Sequence, residues 1–167
     1  MSLNVKNFRN FLLNSIPLII FYYITLSEFS FGFEYKNYFT INLQYIIIYY
    51  WVLKNPKILG YGFIFLAGII NDIILGLPIG VSATTYLIMA GVAAYFRNVI
   101  VTVTILSDWS TFLLSLLITN FVYVVIFSIF SELSLNYLNL LYSSIFTLIF
   151  YPVAWFLFEI LRRFIKV

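Results

Sequence analysis

One carboxylate stands inside an apolar stretch of the sequence, where a charge is costly. It is Asp72, in the stretch GIINDIILGLPIG that covers residues 68–80. An acid in such surroundings can bind a proton or a ligand, hold a partner helix, or accept hydrogen bonds from backbone amides. The type and spacing of the neighbouring residues decide between these roles.

The residues around Asp72 favour a structural role. On a helix, Gly68, Asp72 and Gly76 are spaced by four and share one face, where small residues let another helix approach closely. The Gly-Leu-Pro-Ile-Gly break at 76–80 predicts a tight hairpin to the next helix. We expect the carboxylate to cap that helix by accepting hydrogen bonds from the free amides after Gly80. Partner binding is the second interpretation, and proton or ligand handling the third. Further hydrogen-bonding groups nearby are the side chains of Asn71, Ser82, Thr84 and Thr85.

The other notable polar and aromatic residues are predicted to have structural roles. Ser107 and Asp108 indicate the N-cap of a helix. Glu159 lies three and four residues before two arginines, which predicts local ion pairs on one helix. Three large aromatic residues are expected in the interfacial belt of a membrane protein, and these are Trp51, Tyr151 and Trp155.

Composition places the chain in the membrane class. It is 63% hydrophobic and 9% charged, whereas a soluble domain has roughly a quarter of charged residues. The sequence has no histidine and no cysteine, which excludes disulfides, thiol chemistry, imidazole metal ligands and a histidine general base. It also has no phosphate-binding loop or nucleophile motif, and its basic residues form no nucleic-acid patch. We therefore expect no enzyme activity, cofactor or metal.

The apolar segments that must position Asp72 predict an all-α integral membrane protein with one domain, residues 1–167. Since a span needs about 20 apolar residues, six transmembrane helices are expected at about 11–31, 38–53, 58–77, 79–96, 108–130 and 137–158. Residues 99–106 are either an interfacial link or the start of a longer fifth helix. With both termini cytoplasmic, only Lys36 among the nine basic residues lies outside, as the positive-inside rule requires. The inside residues are Lys6, Arg9, Lys54, Lys57, Arg97, Arg162, Arg163 and Lys166.

The order GxxxD, GxPxG and a small-residue helix resembles the rod shape-determining MreD family of bacteria. The matching residues are Gly68, Asp72, Gly76, Pro78, Gly80, Ala83, Ala94 and Tyr95. The resemblance implies a multi-pass, non-enzymatic scaffold of the cell-elongation machinery in the inner (cytoplasmic) membrane. It implies binding to MreC and, through it or directly, to the MreB filament, the RodA glycosyltransferase and its partner transpeptidase. Such a scaffold helps to direct sidewall peptidoglycan synthesis and rod shape.

The MreD family is also similar in fold to the S-components of energy-coupling-factor vitamin transporters, which leaves a second function open. A substrate-binding importer subunit predicts a polar pocket on the outer side, with Glu28, Asn42 and Asp72 as candidate contacts. It also predicts a small-residue docking patch on the first helix. The sequence has bulky residues at 21–23 (FYY), and this favours the scaffold.

Overall fold

The computed structural model of the chain describes residues 15–27, 40–99, 104–130 and 136–165. Within these ranges the chain forms six α-helices and no strand, so the predicted all-α class is confirmed. The helices are α1 (Ser15–Leu26), α2 (Leu43–Lys54), α3 (Tyr61–Leu75), α4 (Val81–Val99), α5 (Ile105–Phe130) and α6 (Tyr137–Ile165).

The helices form a bundle in which α4 packs against α3, α2 and α5, and α6 packs against α2 and α5. The last turns of α2, α4 and α6 lie together with the first turn of α5. Arg97 on α4 donates to the Val52 carbonyl of α2 (3.3 Å), and Tyr50 on α2 donates to Glu159 on α6 (2.9 Å). We call this the charged end. The α3–α4 turn and the starts of α2 and α6 lie at the opposite end, the hairpin end.

Helix α2 forms the core of the bundle. Every residue from Tyr45 to Leu53 is buried, and Tyr49 makes edge contacts with Phe112 (5.2 Å) and Tyr151 (5.9 Å). The predicted interfacial position of Trp51 and Tyr151 is therefore wrong, since they are 1% and 0% exposed. A helix that is apolar on all sides is suited either to lipid or to a protein core, and its sequence does not separate the two.

Turns and caps move several helix boundaries away from the predicted positions. Helix α3 begins at Tyr61, not 58, because the chain first makes a turn at residues 56–58 after the end of α2. Helix α5 begins at Ile105, not 108, because the Thr104 hydroxyl accepts a hydrogen bond from the Ser107 amide (3.2 Å). The predicted cap at residues 107–108 is therefore wrong, and the first turn of α5 reaches back into the segment 99–106.

The remaining boundaries also shift. Helix α1 ends at Leu26, α2 begins at Leu43 instead of 38, and α6 continues to Ile165 instead of 158. The extension of α6 contains the Glu159–Arg162 ion pair, which lies at the charged end of the bundle. Opposite charges three residues apart stabilise a continuous helix. Residues 11–14 and 28–31 of the predicted first helix, 38–39 of the predicted second helix, and 100–103 between α4 and α5 lie outside the described residues.

Two helices in the described ranges are long and apolar enough to cross a membrane. They are α5 and α6, whose most apolar 18-residue stretches have mean hydropathies of 2.4 and 1.8. Only 28% and 17% of their most apolar stretches is buried, whereas the core helix of a soluble protein is mostly buried. Large side chains such as Phe121 (71% exposed) and Ile129 (68%) face outward. Such a continuous apolar surface is typical of contact with lipid or with another protein.

Candidate functional site

Asp72 lies near the end of α3, and both of its carboxylate oxygens bind the start of α4. Oδ2 accepts a hydrogen bond from the Gly80 amide (2.8 Å) and Oδ1 from the Ser82 amide (2.7 Å). The side chain is fully buried, and these two bonds replace its hydration. A negative charge at a helix N-terminus is also favoured by the helix dipole. The predicted capping is confirmed, and it explains why α4 begins at Val81 instead of 79.

The backbone of Asp72 also ends α3. Its carbonyl accepts a hydrogen bond from the Leu77 amide (2.9 Å), and the Ile73 carbonyl accepts one from the Gly76 amide (3.4 Å). This Schellman pattern requires a left-handed residue after the helix, and Gly76 has φ 63°. Asp72 therefore ends one helix with its carbonyl and starts the next with its carboxylate.

Helices α3 and α4 touch through their backbones one turn before Asp72. A Cβ atom added to Gly68 would lie 2.3 Å from the Ala83 Cα and 2.6 Å from its nitrogen. The buried Asn71 amide donates to the Ser82 hydroxyl (2.9 Å) and joins the two helices at the same level. The close approach predicted from the glycine spacing is therefore present, and Asn71 and Ser82 support it.

The other two hydroxyls near Asp72 do not bind its carboxylate. Thr84 is exposed, and Thr85 donates to the Val81 and Ser82 carbonyls of its own helix. The carboxylate thus depends on the backbone amides of Gly80 and Ser82, as the sequence predicted, and not on the two threonine hydroxyls.

Tyr95 lies apart from the other residues of the motif. It follows Ala83 by twelve residues on α4, a distance of about 18 Å along the axis, and its side chain is 64% exposed. Gly91, one turn earlier, has no neighbour within 4 Å of the position of a Cβ atom. The hairpin gathers Gly68, Asp72, Gly76, Pro78, Gly80 and Ala83, while Tyr95 lies on an open face near the charged end.

A cavity of about 460 Å³ lies beside the hairpin. The ends of α2, α3, α4, α5 and α6 contribute to it. Its polar lining consists of Thr40, Asn42, Gln44, Tyr45, Asn71, Ser82, Tyr86, Tyr123, Asn136, Asn139 and Ser143. Asn42 was expected at such a pocket and lines it. Asp72 was also expected there, but its carboxylate is used by the α4 amides, and Glu28 lies outside the described residues.

Sequence reasoning missed Asn136 and Asn139, which bring the start of α6 to the cavity. Asn136 caps α6, since its side-chain oxygen accepts a hydrogen bond from the Asn139 amide (3.3 Å). Two amides one turn apart at the start of an apolar segment were the available signal. Only the tertiary fold brings these two asparagines next to α2 and α3.

The charged end contains a buried ion pair that the sequence did not indicate. Lys54 Nζ lies 2.5 Å from Asp108 Oδ2, and the two side chains are 6% and 1% exposed. Trp155 donates from its indole nitrogen to the same oxygen (2.9 Å). Lys54 lies in the last turn of α2 and not in a loop, and together with Trp155 it connects α2, α5 and α6 through Asp108.

The predicted local pairing of Glu159 is confirmed. Arg162 Nη2 lies 2.5 Å from Glu159 Oε1, and Arg163 is 4.0 Å from the same oxygen. Tyr50 adds a hydrogen bond to Glu159 from α2 (2.9 Å). This cluster and the Lys54–Asp108 pair hold the ends of three helices together.

Changing Asp72 should measure the strength of the hairpin. Asp72→Asn removes the charge and one of two acceptors, so we expect a loss of about 1–3 kcal/mol in the free energy of unfolding. Asp72→Ala removes both acceptors and should lose more. Thermal unfolding of the purified protein in detergent would give this order. If both variants melt with the wild type, the carboxylate does not stabilise the hairpin.

Comparison of the sequence with protein-family models, with curated proteins and with solved structures finds no match.

Proposed function

We propose that the chain is a non-enzymatic scaffold of the bacterial cell-elongation machinery, as its resemblance to the MreD family implies. It lies in the inner membrane, spans it six times and keeps both termini in the cytoplasm. It binds an MreC-like protein and, with it, joins MreB, RodA and the partner transpeptidase in directing sidewall peptidoglycan synthesis.

The geometry of the hairpin is the single observation that best supports this proposal. Three of the matching residues have separate structural roles in the hairpin. Gly68 admits the Ala83 backbone, Asp72 caps α4, and Gly76 ends α3 in a left-handed conformation. The residues on which the resemblance rests therefore form one structural unit, the α3–α4 hairpin.

The placement of the basic residues supports the proposed orientation. Lys54, Arg97 and Arg162 lie in the last turns of α2, α4 and α6, which meet at the charged end. A cytoplasmic charged end satisfies the positive-inside rule for all three helices. Helix α3 has 15 residues, about 22 Å against a hydrocarbon core of about 30 Å. On this proposal α3 crosses only as part of the bundle, with its end turns inside the membrane.

Tyr95 allows a test of the partner role that leaves the hairpin intact. Because its side chain is exposed, Tyr95→Ala should leave folded yield unchanged. It should reduce co-purification of an MreC-like partner about tenfold, the loss of more than 1 kcal/mol expected for an aromatic anchor. The amount of partner retained by the tagged chain at matched expression would be measured.

Tyr61→Ala is the matched control. Tyr61 is 50% exposed at the start of α3, near the same end of the bundle, and is not part of the resemblance. The Tyr61→Ala variant should retain the MreC-like partner at the wild-type level. Full retention by Tyr95→Ala, or an equal loss in both variants, would contradict a specific role for Tyr95.

A second candidate function, the substrate-binding subunit of a vitamin importer, is favoured by the cavity. Its volume lies within the range of about 300–1,000 Å³ that is typical of small-molecule sites. The first helix argues against this function, because it exposes Tyr23 (65%) where a small-residue docking patch would be needed. Nanomolar binding of a vitamin by the purified chain would favour this function over the scaffold.

A further inference from the structure

We propose that the cavity at the hairpin end binds a neutral, sugar-like ring that carries hydroxyl or acetamido groups. The inference is independent of the scaffold function, since it concerns a ligand of the chain alone. It also differs from the importer function, because it concerns the chemistry of the site and not transport.

The lining has the hydrogen-bonding chemistry of a neutral polar ligand. Amide side chains reach the cavity from three helices or their first residues, at Asn42 and Gln44, at Asn71, and at Asn136 and Asn139. An amide offers both a donor and an acceptor. It can therefore pair with a hydroxyl group or with another amide in either role.

One acceptor of the lining is unused. The side-chain oxygen of Asn139 is buried and has no hydrogen-bond partner among the described residues. A buried polar atom without a partner costs about 1–3 kcal/mol. Rotation of the Asn139 amide toward the cavity would let a ligand hydroxyl or amide N–H supply the missing donor.

The described lining residues carry no charge. Asp72 is the nearest acid in the hairpin, and both of its oxygens are bound to backbone amides. A charged ligand group would therefore find no oppositely charged partner among the described lining residues. This disfavours phosphorylated and cationic molecules.

Aromatic side chains form part of the same wall. Tyr45 and Tyr86 meet edge to face at 5.8 Å, and Tyr123 faces the cavity from α5. Tyr45 and Tyr86 are 7% and 4% exposed and form a rigid part of the wall, while the partly exposed ring of Tyr123 can contact one face of a ligand. Amides together with aromatic rings suit a molecule with a polar rim and an apolar face, as a pyranose has.

A free sugar and the headgroup of a neutral glycolipid share this chemistry. The cavity lies at one end of the bundle, where a headgroup would be found if α5 and α6 span the membrane. The two sources differ only in whether the sugar is attached to a lipid, so one experiment with two arms separates them.

The first arm measures free sugars by isothermal titration calorimetry on the full chain, purified in a detergent without a sugar headgroup. N-acetylglucosamine is the neutral probe, and glucosamine and N-acetylglucosamine 6-phosphate are its cationic and anionic counterparts. The second arm compares nanodiscs with monoglucosyl diacylglycerol against nanodiscs with diacylglycerol, using protection of the chain from thermal unfolding. We expect saturable binding in at least one arm, and binding of the charged sugars at least tenfold weaker than that of the neutral one.

Asn139→Leu should weaken the observed binding at least tenfold. The matched control is Asn120→Leu, since Asn120 on α5 also has a buried unpaired oxygen but does not line the cavity. It should bind within twofold of the wild type. If Asn139→Leu folds poorly, Tyr123→Ala tests the same site from α5. Absence of saturable binding in both arms, equal binding of charged sugars, or wild-type binding by the cavity variants would overturn the proposal.

Discussion

Lys54→Met should destabilise the chain by about 3–5 kcal/mol, because it leaves Asp108 buried without its cation. The two side chains are 6% and 1% exposed and lie 2.5 Å apart, so water cannot replace the lost partner. Trp155 would still donate one hydrogen bond to Asp108, but a neutral donor does not balance the charge. The expected result is a large fall in melting temperature and in folded yield.

Two further variants separate the ion pair from a general effect of charge. Lys57 lies three residues after Lys54 and is exposed, so Lys57→Met should change stability by no more than about 0.5 kcal/mol. The double variant Lys54→Met/Asp108→Leu replaces the pair with apolar groups and should be more stable than Lys54→Met alone. Equal melting of Lys54→Met and Lys57→Met would show that the pair is not a determinant of stability.

Gly68→Ala should separate α3 from α4 and lower stability by at least about 1–3 kcal/mol, the usual cost of overpacking. The new methyl group would meet the Ala83 Cα at 2.3 Å and its nitrogen at 2.6 Å. These are backbone atoms of a helix whose start is tied to Asp72, so no side chain can move aside. Thermal unfolding and folded yield would report the effect.

Two other glycines provide controls for the same substitution. Gly62 on α3 and Gly91 on α4 have no neighbour within 4 Å of an added Cβ. Gly→Ala there should be neutral or stabilise by up to about 1 kcal/mol, since alanine favours a helix. Ala83→Gly should not rescue Gly68→Ala, because it leaves the Ala83 Cα in place. Wild-type stability of Gly68→Ala would contradict the close contact.

The hairpin could be predicted because its signals are local in sequence. Glycine at positions 76 and 80, proline at 78 and an acid four residues before the turn lie within 13 residues. Spacing alone relates them on a helix and at its ends. The capping of α4 by Asp72 and the close contact at Gly68 follow from the same short stretch, and the structure contains both.

The core and the charged end could not be predicted, because they depend on contacts between distant residues. Lys54 and Asp108 lie on different helices, and each alone resembles a common feature, a loop cation or a helix cap. Helix α2 is apolar on every side, so hydropathy assigned it to lipid although it lies inside the bundle. The cavity combines residues from five helices. Of its three predicted contacts, Asn42 lines it, Asp72 does not, and Glu28 lies outside the described residues.

The enclosure of α2 has a consequence for how the chain is made. In the membrane setting proposed above, α2 leaves the ribosome before α4, α5 and α6, which cover it. It has 12 residues, about 18 Å, and is too short to cross a bilayer of about 30 Å by itself. The nascent chain must therefore keep α2 shielded until α4, α5 and α6 have been added. Folding of this bundle then depends on helices that are made late covering α2, which is made early. A truncated chain without those helices would expose α2 to quality-control proteases.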